Sequence, residues 1–476
     1  MKKKLVVILL LTLLLINHDK IVSANSNLEN IVQSQLGNDN ISVSVRSLET
    51  GEVIYMKNGD VGMKPASTLK LLTAAAALNV LGSNYRFDTM VYIDGLVVDG
   101  VLRGDVYIKG GGDPTLQKKD FVAFADTLMH QGIKMIDGNL YGDDTLFSGP
   151  QLTPGVASAD ESYYFASRTA ALTMSPDNDY DAGTIIIDVS PSSVGRQPII
   201  SARPNESGMI IQNNAVTVNA NQSNTIQIER QYRTNTIVVT GNIPIGSSFK
   251  DWVTLYDPTI NTLHAIKNTF RQRGIDFLGN SAVDRKEVPA DASMIYTKHS
   301  LPLKVLINPF LKLSNNSIAD ILIKTLGKEA SGKGTTEAGV SVLKDYGIML
   351  GLDANQWSLE DGSGISHNNR VTANELTKLL FKMQGEPNYK EFYAALPIGG
   401  EKDRLQGGSL SKRFNSKPYT ERVVAKTGSI SGVYTLAGYV KAASGQTYAF
   451  AIMTQIQSSI AIPSIDEVVK YMINSY

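Results

Sequence analysis

One stretch constrains this chain more than any other. Lys64-Pro65-Ala66-Ser67-Thr68-Leu69-Lys70 runs straight into Leu71-Leu72-Thr73-Ala74-Ala75-Ala76-Ala77-Leu78. The alanine and leucine run favours helix and is apolar enough to be buried. Ser67 and Lys70 stand three residues apart at its mouth, so a helical path puts them on one face, with the amine in reach of the hydroxyl. Desolvating an amine lowers its pKa toward the range where it acts as a base. The first helical turn also offers free backbone N–H groups to a developing oxyanion. The bare pattern is not diagnostic: Ser-x-x-Lys recurs at Ser247/Lys250, Ser341/Lys344 and Ser409/Lys412. Its ordinary alternative is a capping serine beside a solvated lysine.

The start of the chain bears on where that chemistry would operate. Lys2, Lys3 and Lys4 precede an apolar run from Leu5 to Ile16, and Val22-Ser23-Ala24 offers small residues for cleavage before Asn25. Residues 1–24 therefore read as a cleaved secretory signal, the run being too short to span a bilayer. No later stretch reads as a transmembrane anchor. The precursor is neutral and residues 1–24 hold a net +3, so the mature chain carries −3, which speaks against nucleic acid as a partner. Cysteine is absent. An exported chain of this kind must rest on its core alone, and thiolate catalysis, thiolate metal sites and disulfide exchange are excluded.

The rest of the chain reads as several domains of mixed α and β structure. A helix is expected over Ser26–Leu36, then strands Ile41–Leu48 and Val53–Met56 around Glu49-Thr50-Gly51-Glu52. Beyond Tyr85 come short strands at Thr89–Ile93, Leu96–Leu102 and Asp105–Lys109, ending in Gly110-Gly111-Gly112-Asp113-Pro114. No Gly-Lys-Ser/Thr follows these glycines, so they read as a turn and not a phosphate loop. A helix near Asp120–Gln131 and a strand at Asn139–Tyr141 follow. Residues 183–246 hold the β-branched runs Thr184–Ser190, Met209–Val216, Thr225–Arg230 and Thr236–Gly241 between Pro, Gly and Asn clusters, a small all-β module. Helical pattern returns at Thr259–Arg273 and dominates from Ser300, before a hairpin Val433–Val440/Thr447–Thr454 and a last helix from Ile465. The simplest organisation is one catalytic domain split by an insertion of about 200 residues. Its boundaries are a catalytic part 25–84, an inserted domain 85–182, the all-β module 183–246, a return of the inserted domain at 247–289, and the second catalytic part 290–476.

Two further motifs lie beyond the insertion. Ser314-Asn315-Asn316 opens the apolar helix Ile318–Leu326, where Ser and Asn also make good caps. Lys426-Thr427-Gly428, unique in the chain, immediately precedes the Val433–Val440 strand. Ser-x-x-Lys, Ser-x-Asn and Lys-Thr-Gly in that order form the signature of penicillin-recognising serine enzymes. The chain resembles the class C low-molecular-mass penicillin-binding proteins, D-alanyl-D-alanine carboxypeptidase/endopeptidases, over essentially its whole mature length. Gly110–Leu116, Gly142-Asp143-Asp144-Thr145-Leu146-Phe147, Asp361-Gly362-Ser363-Gly364 and Ala425–Tyr439 are similar to other segments of that family. It departs from the pattern at His367, where arginine is common, and near Tyr163-Tyr164-Phe165, where tryptophans are usual just upstream.

The resemblance implies a transpeptidase fold of the penicillin-binding-protein/β-lactamase type, split by two β-rich subdomains, and an acyl-enzyme formed on Ser67. It casts Lys70 as base, the N–H groups of Ser67 and Ser429 as oxyanion donors, and Ser314 as proton relay. Asn316 would bind the substrate's peptide carbonyl, and Lys426 with Thr427 its carboxylate, beside Gly428. Asp143, or failing that Asp144, would face the free amine of the stem peptide's diamino acid. Expected partners are peptidoglycan stem peptides ending in D-Ala-D-Ala, with β-lactams as covalent inhibitors. No cofactor or metal is implied, and the enzyme is expected outside the cytoplasm, at the cell wall or membrane surface. Alternatives are a β-lactamase-like hydrolase and a non-catalytic peptidoglycan-binding protein of the same fold. Intact Lys70 and Lys426 argue against the latter, and the lack of an assignable deacylating carboxylate against the former. A Ser-His-Asp hydrolase lacks its Gly-x-Ser-x-Gly, and a metallohydrolase its His-Glu-x-x-His.

Overall fold

The structure, a computed structural model, describes residues 27–456 and 460–476. The segment read as a secretory signal, residues 1–24, lies outside the described residues. Two compact units share the chain. The first gathers the N-terminal stretch up to Asn79, Ile307–Ser314 and Leu343–Tyr476, and the second holds Val80–Leu306 and Asn315–Val342.

The first unit is built on a five-stranded antiparallel sheet. Its spatial order is Val423–Ile430, Val433–Lys441, Thr447–Thr454, Ile41–Ser47, Val53–Lys57, so the Lys426-Thr427-Gly428 strand is one edge. Strand Ile41–Ser47 shows why both faces are covered. Ile41, Val43 and Val45 enter a core shared with Leu28 and Val32 from the helix at residues 27–36, and with Val468 and Met472 from helix Ala461–Ser475. Its intervening polar residues point the other way and are buried too. Ser44 pairs with Thr377 at 2.9 Å, and Arg46 reaches Asn374 Oδ1 at 2.6 Å, both on helix Ala373–Met383. Alternation here separates two packed faces rather than a dry face from a wet one.

The second unit is organised around a long hairpin, Asp88–Val98 with Val101–Gly110. Three short strands expected from sequence are in fact these two. The chain continues through Asp94-Gly95 and Arg103-Gly104, where Gly95 faces Gly104, and turns at Asp99-Gly100, where both residues take positive φ (50° and 81°). A two-residue turn of that handedness matches the strands' twist. Ser293–His299 joins the same sheet along Asp88–Val98. The reading of 290–476 as catalytic is corrected there, because this strand completes the insertion's sheet. Helices Lys118–His130 and Pro258–Gln272 bury Phe121, Phe124, Leu263 and Phe270 against it. Three smaller sheets follow over residues 184–254. The β module was expected to end at 246, but Phe249–Thr254 pairs with Thr184–Val189. Lys250 and Asp251 interrupt its apolar pattern, which hid the strand.

Candidate active site

Ser67 lies in a single 3₁₀ turn, Ala66–Leu69, that leads into helix Lys70–Val80. Residues three apart nearly eclipse in a 3₁₀ turn. The Lys70 ammonium nitrogen is accordingly 2.9 Å from Ser67 Oγ, and it also donates to the Ser363 carbonyl at 2.7 Å. Lys70 is fully buried while Ser67 is half-exposed, so the hydroxyl faces outward with the amine behind it. The Pro65 carbonyl fastens the turn to the sheet by accepting from Thr435 Oγ1 at 2.8 Å and Thr68 Oγ1 at 2.6 Å.

The edge strand passes very close. A Cβ on Gly428 would stand 2.1 Å from Thr435 Oγ1 and 2.9 Å from both Pro65 O and Ser67 N, so only glycine fits. On the other side Gly364, at φ 86°, leaves no room for a Cβ against the Ala66 carbonyl.

A second hydroxyl–amine pair repeats the arrangement. Ser314 follows helix Leu303–Lys312 in a left-handed conformation, φ 61°, and Ala66, just before Ser67, has φ 46°. Strained non-glycine residues of this kind cost about 1–3 kcal/mol each and gather at functional sites. The Lys426 ammonium donates to Ser314 Oγ at 2.8 Å and to the Thr427 carbonyl at 2.7 Å. Lys426 is also fully buried. Burial first, and then the Lys70 charge, holds its amine well below the ordinary lysine value. Along the same strand Thr427 Oγ1 meets Ser409 Oγ at 2.7 Å, and Ser429 is exposed.

Sequence reasoning gave no role to the loop that completes this wall. Asp361 is fully buried, and its carboxylate accepts from the backbone N–H groups of Ser363, Gly364 and Ser366 at 2.8, 2.5 and 2.8 Å. That turn aims the Ser363 carbonyl at Lys70 and the Gly362 carbonyl at Thr73 Oγ1, 2.7 Å away. Nearby, His367 Nδ1 lies 3.4 Å from Lys64, and partial burial, then Lys64 and Arg370, lower its pKa.

Two expected site residues belong to the second unit. Asn316 begins helix Asn316–Ser331, capped by Asn315 accepting from Ile318 N, and its amide donates to the Phe165 carbonyl at 2.8 Å. Asp143 does not present a free carboxylate, which corrects the expectation that it receives a substrate amine. It is 1 % exposed, and its oxygens accept from Thr145 N and Oγ1 at 3.1 and 2.6 Å and from Val288 N at 3.2 Å, with Lys109 at 3.3 Å. Burial alone would raise its pKa, but the Thr145 and Val288 hydrogen bonds and the Lys109 charge outweigh this and lower it. Asp144 is likewise paired, with Arg285 at 2.7 Å and Thr259 Oγ1 at 2.7 Å. Among the described residues no group of three His, Asp or Glu side chains could hold a metal ion.

Two lysines behind two outward hydroxyls are an arrangement for acyl transfer. The family model for D-Ala-D-Ala carboxypeptidase 3 (S13) matches residues 24–472. A D-alanyl-D-alanine carboxypeptidase of Actinomadura sp. (strain R39) is 34% identical, over 91% of this chain and 81% of its own length. Penicillin-binding protein 4 of Haemophilus influenzae superposes with a TM-score of 0.80 at 24% identity, covering 94% of this chain and 99% of the other. In complex with a β-lactam, that protein superposes with a TM-score of 0.72 at 25% identity, covering 91% and 94%. From its motifs, its fold and this match over nearly its whole length, the chain belongs to the D-Ala-D-Ala carboxypeptidase 3 (S13) family.

Proposed function

We propose that this protein is a serine-type D-Ala-D-Ala carboxypeptidase with D,D-endopeptidase action beside it, working through an acyl-enzyme on Ser67. The observation that carries the reading is the Lys70 nitrogen 2.9 Å from Ser67 Oγ, buried behind it and backed by the equally buried Lys426. Burial disfavours charge on the Lys426 amine, and the Lys70 charge disfavours it further. Neutral Lys70 takes the Ser67 proton as the oxygen attacks the carbonyl of the D-Ala–D-Ala bond. The N–H groups of Ser67 and Ser429 receive the oxyanion. The proton passes by Ser314 to the departing D-alanine nitrogen, and water then releases the acyl chain. Lys426 and Thr427 draw the substrate's terminal carboxylate, and Asn316 its peptide carbonyl.

The substrate is a peptidoglycan stem peptide ending in D-Ala-D-Ala, and β-lactams acylate the same serine. Residues 1–24 are removed on export, and the enzyme works outside the cytoplasm, at the cell wall or membrane surface. The insertion forms two subdomains. Among the described residues no helix is long and apolar enough to cross a membrane.

Mass spectrometry after incubation with benzylpenicillin tests the assignment. The adduct is expected on the peptide that contains Ser67, and Ser67→Ala should take up none. An adduct on Ser314, or none on the intact enzyme, overturns it.

A further inference from the structure

Lys312 is the last residue of helix Leu303–Lys312, two positions before Ser314, and is fully buried. A lysine in a last helical turn can cap its own helix's carbonyls. This one reaches elsewhere, donating to Leu396 O at 2.6 Å and Gln406 O at 2.8 Å. The Gln406 carbonyl also accepts from Ile398 N at 3.1 Å, so residues 396–411 form a loop closed on itself with the Lys312 amine at the closure.

That loop runs beside the Lys426-Thr427-Gly428 strand. Pro397 O accepts from Ala425 N at 2.9 Å, Gly399 N donates to Val423 O at 2.8 Å, and Ile398 bridges Val424. It also delivers Ser409 to within 2.7 Å of Thr427 Oγ1. Next to Ser409 the loop presses on the helix end: a Cβ on Gly408 would stand 2.3 Å from the Lys312 carbonyl. An apolar side chain would fill this space at less desolvation cost than an amine, so packing alone does not account for a lysine here. Two donors at one point are what the loop requires, and a lysine supplies them whether charged or neutral.

We propose that Lys312 is a positioning residue that holds the 396–411 loop in the register where Ser409 Oγ accepts from the Thr427 hydroxyl and the pair faces the substrate carboxylate. The inference rests on the carboxylate role given to Thr427 above. Lys312 touches neither substrate nor reacting atoms and acts through Ser409. It therefore ties the element before Ser314 to the strand after the insertion, and a fault in it reaches substrate binding before it reaches bond breaking.

The test uses full-length mature enzyme, an acetylated peptide ending in D-Ala-D-Ala, and the same peptide with its C-terminal carboxylate amidated. Lys312→Met, which keeps the length and removes the donors, should raise KM for the carboxylate peptide about tenfold, the weight of one charge-assisted hydrogen bond, with kcat nearly unchanged. It should leave the amidated peptide's KM where it was. Ser409→Ala should show the same split, and the double variant should be no worse than the poorer single one. Effects that multiply in the double variant, equal losses on both peptides, or an unchanged KM in folded Lys312→Met overturn the proposal. If Lys312→Met does not fold, Gly408→Ala disturbs the same contact without touching the amine and enters the same cycle with the same expected split. Benzylpenicillin acylation of wild-type Ser67, followed in the same preparation, reports separately on the acyl-enzyme reading. Normal acylation there beside an unmoved KM in the variants refutes the role of Lys312 alone.

Discussion

Replacing Gly428 by alanine puts one methyl carbon where the edge strand passes the catalytic turn. That carbon would stand 2.1 Å from Thr435 Oγ1 and 2.9 Å from Pro65 O and Ser67 N. Relief to an ordinary contact of about 3.4 Å requires a relative movement of roughly 1 Å in a close-packed interior. Overpacking of this kind costs about 1–3 kcal/mol. Displacing Thr435 from Pro65 forfeits a buried hydrogen bond worth about another 1 kcal/mol. The variant should therefore fold with a lowered Tm. A shift of about 1 Å between Ser67 and the strand's N–H groups should slow acylation on the order of 100-fold. The assay is the time course of the benzylpenicillin adduct by mass spectrometry, set beside a thermal melt. Thr435→Ala supplies the internal check: added to Gly428→Ala it removes the shortest collision and should recover part of the rate, although alone it should not accelerate the enzyme. Acylation by Gly428→Ala within about threefold of wild type would refute the claim that the strand and the turn are held at contact distance.

Three other outcomes are expected. Lys70→Arg puts a permanently protonated group where the mechanism needs a base, so acylation should fall by orders of magnitude while the melt shows a folded protein; near-normal acylation would mean that another group takes the proton. Asp143→Asn should lower stability by about 1–3 kcal/mol through its contacts with Thr145, Val288 and Lys109, and should not alter the ratio of KM values for amine-bearing and amine-blocked peptides; a selective rise for the amine-bearing peptide would restore a substrate role. Burial pushes the Lys312 amine down to about 8, with Asp403 pulling weakly the other way. Its folded pKa lies below its unfolded one, so the folded state sheds the proton first and stability should rise with pH above about 8, by about 1 kcal/mol per unit, until buried tyrosines such as Tyr439 reverse the trend. Chemical denaturation at several pH values measures this slope, and Lys312→Met should flatten it.

The three motifs were legible because each is contiguous and each sits at the beginning or edge of an element, where residue type and position go together. Ser67, Lys70, Ser314 and Lys426 could be named for that reason. What stayed hidden depends on groups without a residue-type signal. The Ser363 carbonyl that holds Lys70 is a backbone atom, and Asp361 serves by folding that backbone. Ser409 meets Thr427 only because a loop closed by Lys312 returns it to the strand. Asp143 looked available because its neighbours Thr145 and Val288, and the strand that carries Lys109, could not be seen to enclose it. In the long hairpin, Asp94-Gly95 and Arg103-Gly104 fall between expected strands, while Asp99-Gly100 falls inside one. Only pairing over the full length of both strands puts the turn there.

The sheet that carries Lys426 is also a statement about the order of events in folding. Strand Ile41–Ser47, made early, finds its neighbour in Thr447–Thr454, with Val45 opposite Phe450. Chain entropy sets little against so long a closure, since each doubling of a loop adds only about 0.6 kcal/mol. Kinetics is less forgiving, because pairings of high sequence separation form late. The Ser67 helix is thus committed to a scaffold that does not exist until the last strands are available, whereas the Asp88–Val98/Val101–Gly110 hairpin can close as soon as it is made. A chain interrupted before Thr447 would keep a nearly self-sufficient insertion and leave Val43, Val45, Leu71 and Leu72 without the surfaces they are built to meet. Such a product should be sticky, a target for proteolysis and devoid of penicillin-reactive serine, so that the nucleophile comes into being only with the completed polypeptide.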